Sequence, residues 1–155
     1  MTVTSTQLSE SLEDYIEAIF HIEIKKHAAR AKDIAERLQV SNSSVTGALR
    51  LLSGKGLINY APYDIITLTP QGKEVAQGVV GKHKALRKFF VDILHIEHTE
   101  AEKTACKLEH GISNHILTRI QQFTEYLAEC PPECRPWLER FGDLCEERSL
   151  PTKSP

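Results

Sequence analysis

The chain has 155 residues, 41% of them apolar and 26% charged, with a formal charge of −2. That length fits one large domain or two small ones sharing a core. No run approaches the ~20 apolar residues of a membrane span, and the polar start, residues 1–10, has neither the basic nor the apolar region of a signal peptide. The expectation is a cytoplasmic protein with no membrane partner. Its four cysteines then serve as metal ligands, redox thiols or core residues rather than as a disulfide framework. A constitutive nucleic-acid binder is usually basic. A pI near 6.4 therefore argues against unconditional DNA binding, but not against binding switched on by bound cations.

In chain order the sequence reads as helices with one β-hairpin. Ser9 or Ser11 can cap a first helix whose apolar face is Leu12, Tyr15, Ile16, Ile19 and Phe20. A second helix covers about 31–38, with Ile34, Ala35 and Leu38 facing inward. The turn Gln39-Val40-Ser41-Asn42 leads to a third helix that buries Val45, Leu49 and Leu52. Gly54 and Gly56 offer left-handed conformations to end it. Runs 57–60 and 65–68 are β-rich, and Ala61-Pro62-Tyr63-Asp64 joins them with turn chemistry. Thr69-Pro70 opens a long helix with a stripe of Val75, Val79, Leu86, Phe90 and Ile93. Thr99 and Glu102 have capping-box spacing and predict a further helix continuing through Leu108, Ile112, Ile116 and Ile120. Beyond Cys130-Pro131-Pro132 a short helix carries Trp137, Leu138 and Phe141. The fold class is thus mainly α. A winged helix-turn-helix with a β-hairpin wing occupies residues 1–70, an all-helical domain residues 71–150, and a frayed tail residues 151–155.

Two short helices joined by a tight turn and followed by a wing set the start of the second helix at base edges in the major groove. Those residues here are Ser41, Asn42, Ser43, Ser44, Thr46 and Gly47, small and polar enough to bond phosphates or approach bases closely. Arg50 and Lys55 lie further along, Lys32 and Arg37 sit on the supporting helix, and Tyr63 stands at the wing tip. Ser41 taken alone reads better as a plain helix cap. The tri-helix with its wing carries the expectation of double-stranded DNA as partner.

A second set of residues points to metal. Asp14 and Glu17 share a face of the first helix, and Cys106, Glu109 and His110 share a face at i, i+3 and i+4. His83 follows Val79 by one turn, in register with the apolar stripe. Carboxylate, imidazole and thiolate together suit a divalent first-row transition metal. Each piece also has an ordinary structural meaning: an acidic first turn, a hydrogen-bonded core histidine, a small buried cysteine. Spacing alone does not make the three helices converge.

Ser11-Leu12-Glu13-Asp14-Tyr15-Ile16-Glu17-Ala18-Ile19, Asp33-Ile34-Ala35-Glu36-Arg37-Leu38, Ser44-Val45-Thr46, Gly56-Leu57-Ile58, Leu68-Thr69-Pro70-Gln71-Gly72, Lys82-His83 and Leu108-Glu109-His110-Gly111-Ile112-Ser113 run in order over about residues 10–120. Together they resemble the diphtheria-toxin-repressor family in its manganese-regulator branch. The resemblance implies a homodimeric, metal-dependent repressor of a palindromic operator, and no enzyme. It puts Asp14, Glu17, His83, Glu109 and His110 on ligand positions. Cys106 departs from that branch, which resembles a Glu there, and is similar to the iron-responsive branch, which has Met where this chain has Asp14. The site is then a hybrid for Mn²⁺ or Fe²⁺, with Co²⁺ or Zn²⁺ able to substitute, as one six-coordinate ion or two neighbouring ones. The length leaves no room for the SH3-like domain of the iron branch.

Cys130, Cys134 and Cys145 form C-x₃-C-x₁₀-C, which the resemblance does not require. They offer a second metal or cluster site, reduced structural thiols, or a redox disulfide. The competing reading of the chain is a winged-helix regulator that senses thiol oxidation or a small molecule, independent of metal.

Overall fold

The computed structural model describes residues 8–60, 65–131, 133 and 135–149. Its elements are α1 (Glu10–Lys26), α2 (Ala31–Leu38), α3 (Asn42–Gly54), β1 (Ile58–Asn59), β2 (Thr67–Leu68), α4 (Pro70–Asp92), α5 (His98–Leu108), α6 (Asn114–Ala128) and α7 (Arg135–Ser149). N-terminal helices with a β-hairpin precede an all-helical remainder, as the sequence pattern predicts. The chain divides into two compact units, Met1–Gly81 and Lys82–Pro155, and the division falls inside α4.

In the first unit, Ser9 caps α1 by accepting from the Leu12 amide, and Glu10 and Glu13 lie where the helix dipole favours negative charge. The buried face of α1 is Leu12, Tyr15, Ile16, Ala18, Ile19 and Ile22, while Phe20 is only partly buried against the core. Gln39 ends α2 in a left-handed conformation, and Ser41 then caps α3. Ile16, Ile19, Ile34, Val45, Leu49, Leu52 and Ile66 are fully buried together. Burying each such side chain contributes about 1.5–3 kcal/mol, so this cluster defines the unit. Of the two glycines expected to terminate α3, Gly54 remains helical and Gly56 alone takes a positive φ, 71°.

The hairpin is shorter than the β-rich runs predict. Ile58 pairs with Leu68 and Asn59 with Thr67, antiparallel, and Ile66 instead bridges to Ala29. The turn with Tyr63 lies outside the described residues. Polar side chains tie the wing down. Glu23 of α1 accepts from the Leu68 amide at 2.8 Å and pairs with Lys73 at 3.0 Å. The Thr69 hydroxyl donates to the Gly56 carbonyl and accepts from the Gly72 amide. A Cβ on Gly72 would lie 1.9 Å from the Leu57 carbonyl oxygen, so only glycine lets the start of α4 approach the chain entering β1.

In the second unit, Leu86, Ala105 and Leu117 form a small buried cluster, with Ala85, Phe90, Ile112 and Ile120 packed around it. Two expectations change here. The cap of α5 is Glu97, whose carboxylate accepts from the Thr99 and Glu100 amides, so Thr99 and Glu102 form no capping box. The helix predicted to run on through Ile120 breaks after Leu108. Gly111 and Ile112 both donate back to the Leu108 carbonyl, and Ser113, extended, caps α6 by accepting from the Ile116 amide. A capping serine outweighs an apolar periodicity that runs straight through it. The C-terminal helix is a full 15 residues. A Cβ on Gly142 would sit 2.9 Å from the His95 ring, so this glycine lets the imidazole lie against α7 beside Phe141.

Candidate metal centre and nucleic-acid interface

The break between α5 and α6 shapes the metal candidate. Glu109 is the C-cap of α5 and keeps helical dihedrals, and His110 follows it into the turn. The Glu109 carboxylate is completely buried among the described side chains. One of its oxygens lies 2.7 Å from Nδ1 of His83, and the other 3.5 Å from Nε2 of His110. A buried carboxylate between two imidazoles costs much desolvation unless compensated. The hydrogen bond His83 donates to Glu109, and the negative charges of Glu109 and Glu102, hold its imidazole above its ordinary pKa despite burial, which works the other way.

Nε2 of His83 meets the Glu102 carboxylate at 3.1 Å, and Nε of Arg87 stands 3.6 Å from the other Glu102 oxygen. In the sequence Glu102 reads only as half of a capping box, and Arg87 carries no role. The available signal was spacing: Arg87 is one turn beyond His83 on α4, and Glu102 one turn before Cys106 on α5.

Asp14 and Glu17 lie on α1 of the first unit, both half-buried, and Glu17 meets Nε2 of His21 at 3.3 Å. Cys106 is an exposed thiol on α5. Among the described residues, the side chains spaced to share one ion include Glu109 and His110 and do not include Cys106. The donor chemistry at Glu109, His83 and His110, one hard oxygen donor and two borderline nitrogens, fits a divalent first-row metal. Cys130 is disulfide-bonded, which removes it as a thiolate ligand; Cys145 is a half-buried thiol outside any disulfide, and Cys134 lies outside the described residues.

The candidate nucleic-acid face lies on α2 and α3. Ser41, Asn42, Ser43, Ser44, Gly47 and Arg50 are exposed and Thr46 is half-buried, while Val45, Ala48 and Leu49 turn inward. The Ser41 hydroxyl accepts from the Ser44 amide at 3.2 Å and lies 2.9 Å from the hydroxyls of both Ser43 and Ser44. Ser41 is therefore a structural cap as well as a surface group. Thr46 donates to the Asn42 carbonyl at 3.0 Å. A Cβ on Gly47 would meet nothing within 4 Å, so internal packing does not demand glycine there. Lys32, Ala35, Glu36, Val40, Ser41 and Asn42 line a depression of about 530 Å³ beside the start of α3. No helix among the described residues is long and apolar enough to cross a membrane.

Comparison with known proteins follows the same division. Residues 7–65 match the N-terminal DNA-binding domain of iron-dependent repressors, and residues 69–137 their metal-binding and dimerisation domain. An uncharacterised HTH-type transcriptional regulator of Methanocaldococcus jannaschii is 38% identical over 119 residues, 76% of this chain and 95% of that one. The HTH-type transcriptional regulator MntR of Geobacillus thermodenitrificans is 34% identical over 77% of this chain and 84% of its own length. Among solved structures, a manganese-dependent transcriptional repressor in complex with manganese is 28% identical, with a TM-score of 0.68 over 74% of this chain. The manganese regulator SloR is 26% identical, with a TM-score of 0.66 over the same share. This chain spans about half the length of those two structures, 53% and 54%.

Proposed function

The chain belongs to the family of iron-dependent repressors of the diphtheria-toxin-repressor and MntR type, and from that premise we propose that it is a transition-metal-activated, DNA-binding transcriptional repressor. It acts in the cytoplasm as a homodimer on a palindromic operator, with residues 1–70 reading DNA and residues 71–150 binding metal and pairing the subunits. The observation that carries this reading is the buried Glu109 carboxylate held between His83 and His110.

The ligand set is His83, Glu109 and His110, completed by Asp14 and Glu17 of α1, with Cys106 as a sixth, softer donor. Mn²⁺ or Fe²⁺ is the sensed ion. Several similar solved structures are manganese-dependent or manganese-activated repressors or regulators, and carboxylates favour Mn²⁺, while a thiolate would shift preference towards Fe²⁺, Co²⁺ or Zn²⁺. Bound cations supply the positive charge that a chain of formal charge −2 lacks near phosphate. Asp14 and Glu17 belong to the helix that backs the reading head, so their engagement fixes α1 and with it the spacing of two recognition helices across a dimer. Ser41, Asn42, Ser43, Ser44, Thr46 and Gly47 meet the bases and nearby backbone, and Lys32, Arg50 and Tyr63 meet phosphate and sugar. Metal and DNA then strengthen each other's binding by the same factor.

The test is fluorescence anisotropy on the protein's own promoter DNA, anaerobic, in chelator and then with buffered Mn²⁺, Fe²⁺, Co²⁺ or Zn²⁺. Tight binding only with metal, lost in Asp14→Ala with the fold retained, is the expected result. Equal binding in chelator would overturn metal activation. It would favour the second reading, an oxidation-sensing regulator, which the disulfide at Cys130 supports.

A further inference from the structure

We propose that Glu102 is a positioning residue of the metal centre, and that Arg87 in turn holds Glu102. The proposal rests on the metal-binding reading above. It concerns how His83 is aimed rather than whether it is a ligand.

The His83 ring has a carboxylate at each nitrogen. Nδ1 faces Glu109 at 2.7 Å and Nε2 faces Glu102 at 3.1 Å. A ring nitrogen can serve a cation or donate a hydrogen bond, but not both at once. The two sides are not alike. Glu109 is fully buried and has His110 on its far side, whereas the Glu102 side chain is 57% exposed and has Arg87 on its far side. The donors that suit a cation are therefore gathered at Nδ1. Nε2 is left to donate to Glu102.

A carboxylate on the outer nitrogen of a ligand histidine fixes the ring's tautomer and orientation and raises its basicity. Losing such a partner typically weakens metal affinity by about 10–100-fold. Glu102 is suited to this part by its placement. It reaches from α5, one oxygen on His83 and the other 3.6 Å from Arg87 Nε. His83 and Arg87 are one turn apart on α4, so a single carboxylate of α5 spans two successive positions on one face of α4. Arg87 is held at the oxygen His83 does not use. A flexible, exposed glutamate would otherwise lose side-chain entropy in holding one rotamer against the ring.

The experiment titrates Mn²⁺ into the full-length protein and follows the EPR signal of free Mn²⁺. Wild type, Glu102→Gln, Glu102→Ala, Arg87→Ala and the Arg87→Ala/Glu102→Ala pair are compared, with the thermal midpoint of each recorded metal-free. Glu102→Ala is expected to bind the same number of ions as wild type, about 10–100-fold more weakly. Glu102→Gln, whose amide oxygen still accepts from Nε2, should recover part of the loss. Arg87→Ala should weaken binding by a smaller factor, and the pair should be no weaker than Glu102→Ala alone. A purely structural ion pair would lower the metal-free midpoint and leave Mn²⁺ affinity unchanged; that result overturns the proposal. Loss of one bound ion in Glu102→Ala overturns it too, by making Glu102 a ligand, as does a Gln variant no better than Ala. Wild-type protein that binds no Mn²⁺ would overturn the metal-binding reading itself.

Discussion

The two units solve the problem of stability differently. The first packs residues from α1, α2, α3, both strands and the start of α4 into one continuous apolar cluster, from Leu8 to Ala76. Among the described residues the second shows a buried cluster of Leu86, Ala105 and Leu117, with Ile93, Ala101 and Leu127 buried besides, and its fully buried large side chains include an ionisable one, Glu109. Its helices also leave Ile116, Phe123, Tyr126, Trp137 and Leu144 exposed. Ile116, Phe123 and Tyr126 recur on α6 at seven and three residues, close to one helical face. Exposed apolar side chains on one helical face are what a dimerisation domain presents, the domain that residues 69–137 match. The lesson is that one unit is defined by its own packing, and the other by groups it must share.

The largest expected effect tests that contrast directly. Leu49→Ala, at a fully buried position of the first unit, should cost about 2–5 kcal/mol in denaturant unfolding. Leu117→Ala, at the rim of the smaller cluster, should cost about 2 kcal/mol or less. Equal losses would erase the distinction between the units.

Metal removal should come next. Ions at a hundred times their Kd stabilise a folded site by about 2.7 kcal/mol, so chelation should lower the thermal midpoint of wild type. His110→Ala should show little response to chelator, because its carboxylate partner Glu109 has lost a neighbouring donor. A wild-type midpoint indifferent to chelator would contradict stabilisation by bound metal.

Two serine caps sharpen the comparison at a smaller scale. Ser41 and Ser113 cap α3 and α6 through the same bond to the amide three residues on. Each change to Ala should cost about 1 kcal/mol. Circular dichroism and denaturant melts of the two variants check this. Ser41→Ala should also weaken DNA binding, since its hydroxyl organises those of Ser43 and Ser44.

The smallest effect is electrostatic. The hydrogen bond from Lys26 at 2.7 Å, assisted by its charge, holds Asp33 below the usual carboxylate pKa against slight burial. A lowered native pKa means that the pair stabilises the fold above the ordinary Asp value, and that this is lost as pH falls through the lowered value. Lys26 is well exposed, so solvent screening limits the contribution to about 0.2–0.5 kcal/mol. The stability difference between wild type and Asp33→Asn should accordingly be small at neutral pH and shrink in acid. A difference that grows in acid would contradict the sign.

Much of the first unit was legible because its information is local. The Ser41 cap, the choice of Ser9 or Ser11 for α1, the bounds of α2 and the inward triad Val45, Leu49 and Leu52 follow from side-chain hydrogen bonding and helical periodicity within a few residues. Chain-order motifs likewise gave Glu109 and His110 as neighbours on one face and set His83 on the stripe of α4. The break after Leu108 was misread because apolar spacing continues across it, and only the competition between the Ser113 cap and continued helix decides the outcome. Glu97 displaced the expected capping box for the same reason, since two carboxylates and one threonine compete for the same amides.

What the sequence by itself determined, then, was the kind of protein: helix-turn-helix with wing, all-helical remainder, and a donor set of carboxylates and imidazoles. What only the tertiary structure decided was which of those donors meet. Burial of Glu109, the two-sided grip on His83 and the Arg87–Glu102 contact join α4 to α5 across sequence separations of 15 to 26 residues. Periodicity places a side chain on a helix face, but it carries no information about the helix that face will meet. That pairing is fixed by the packing of whole elements.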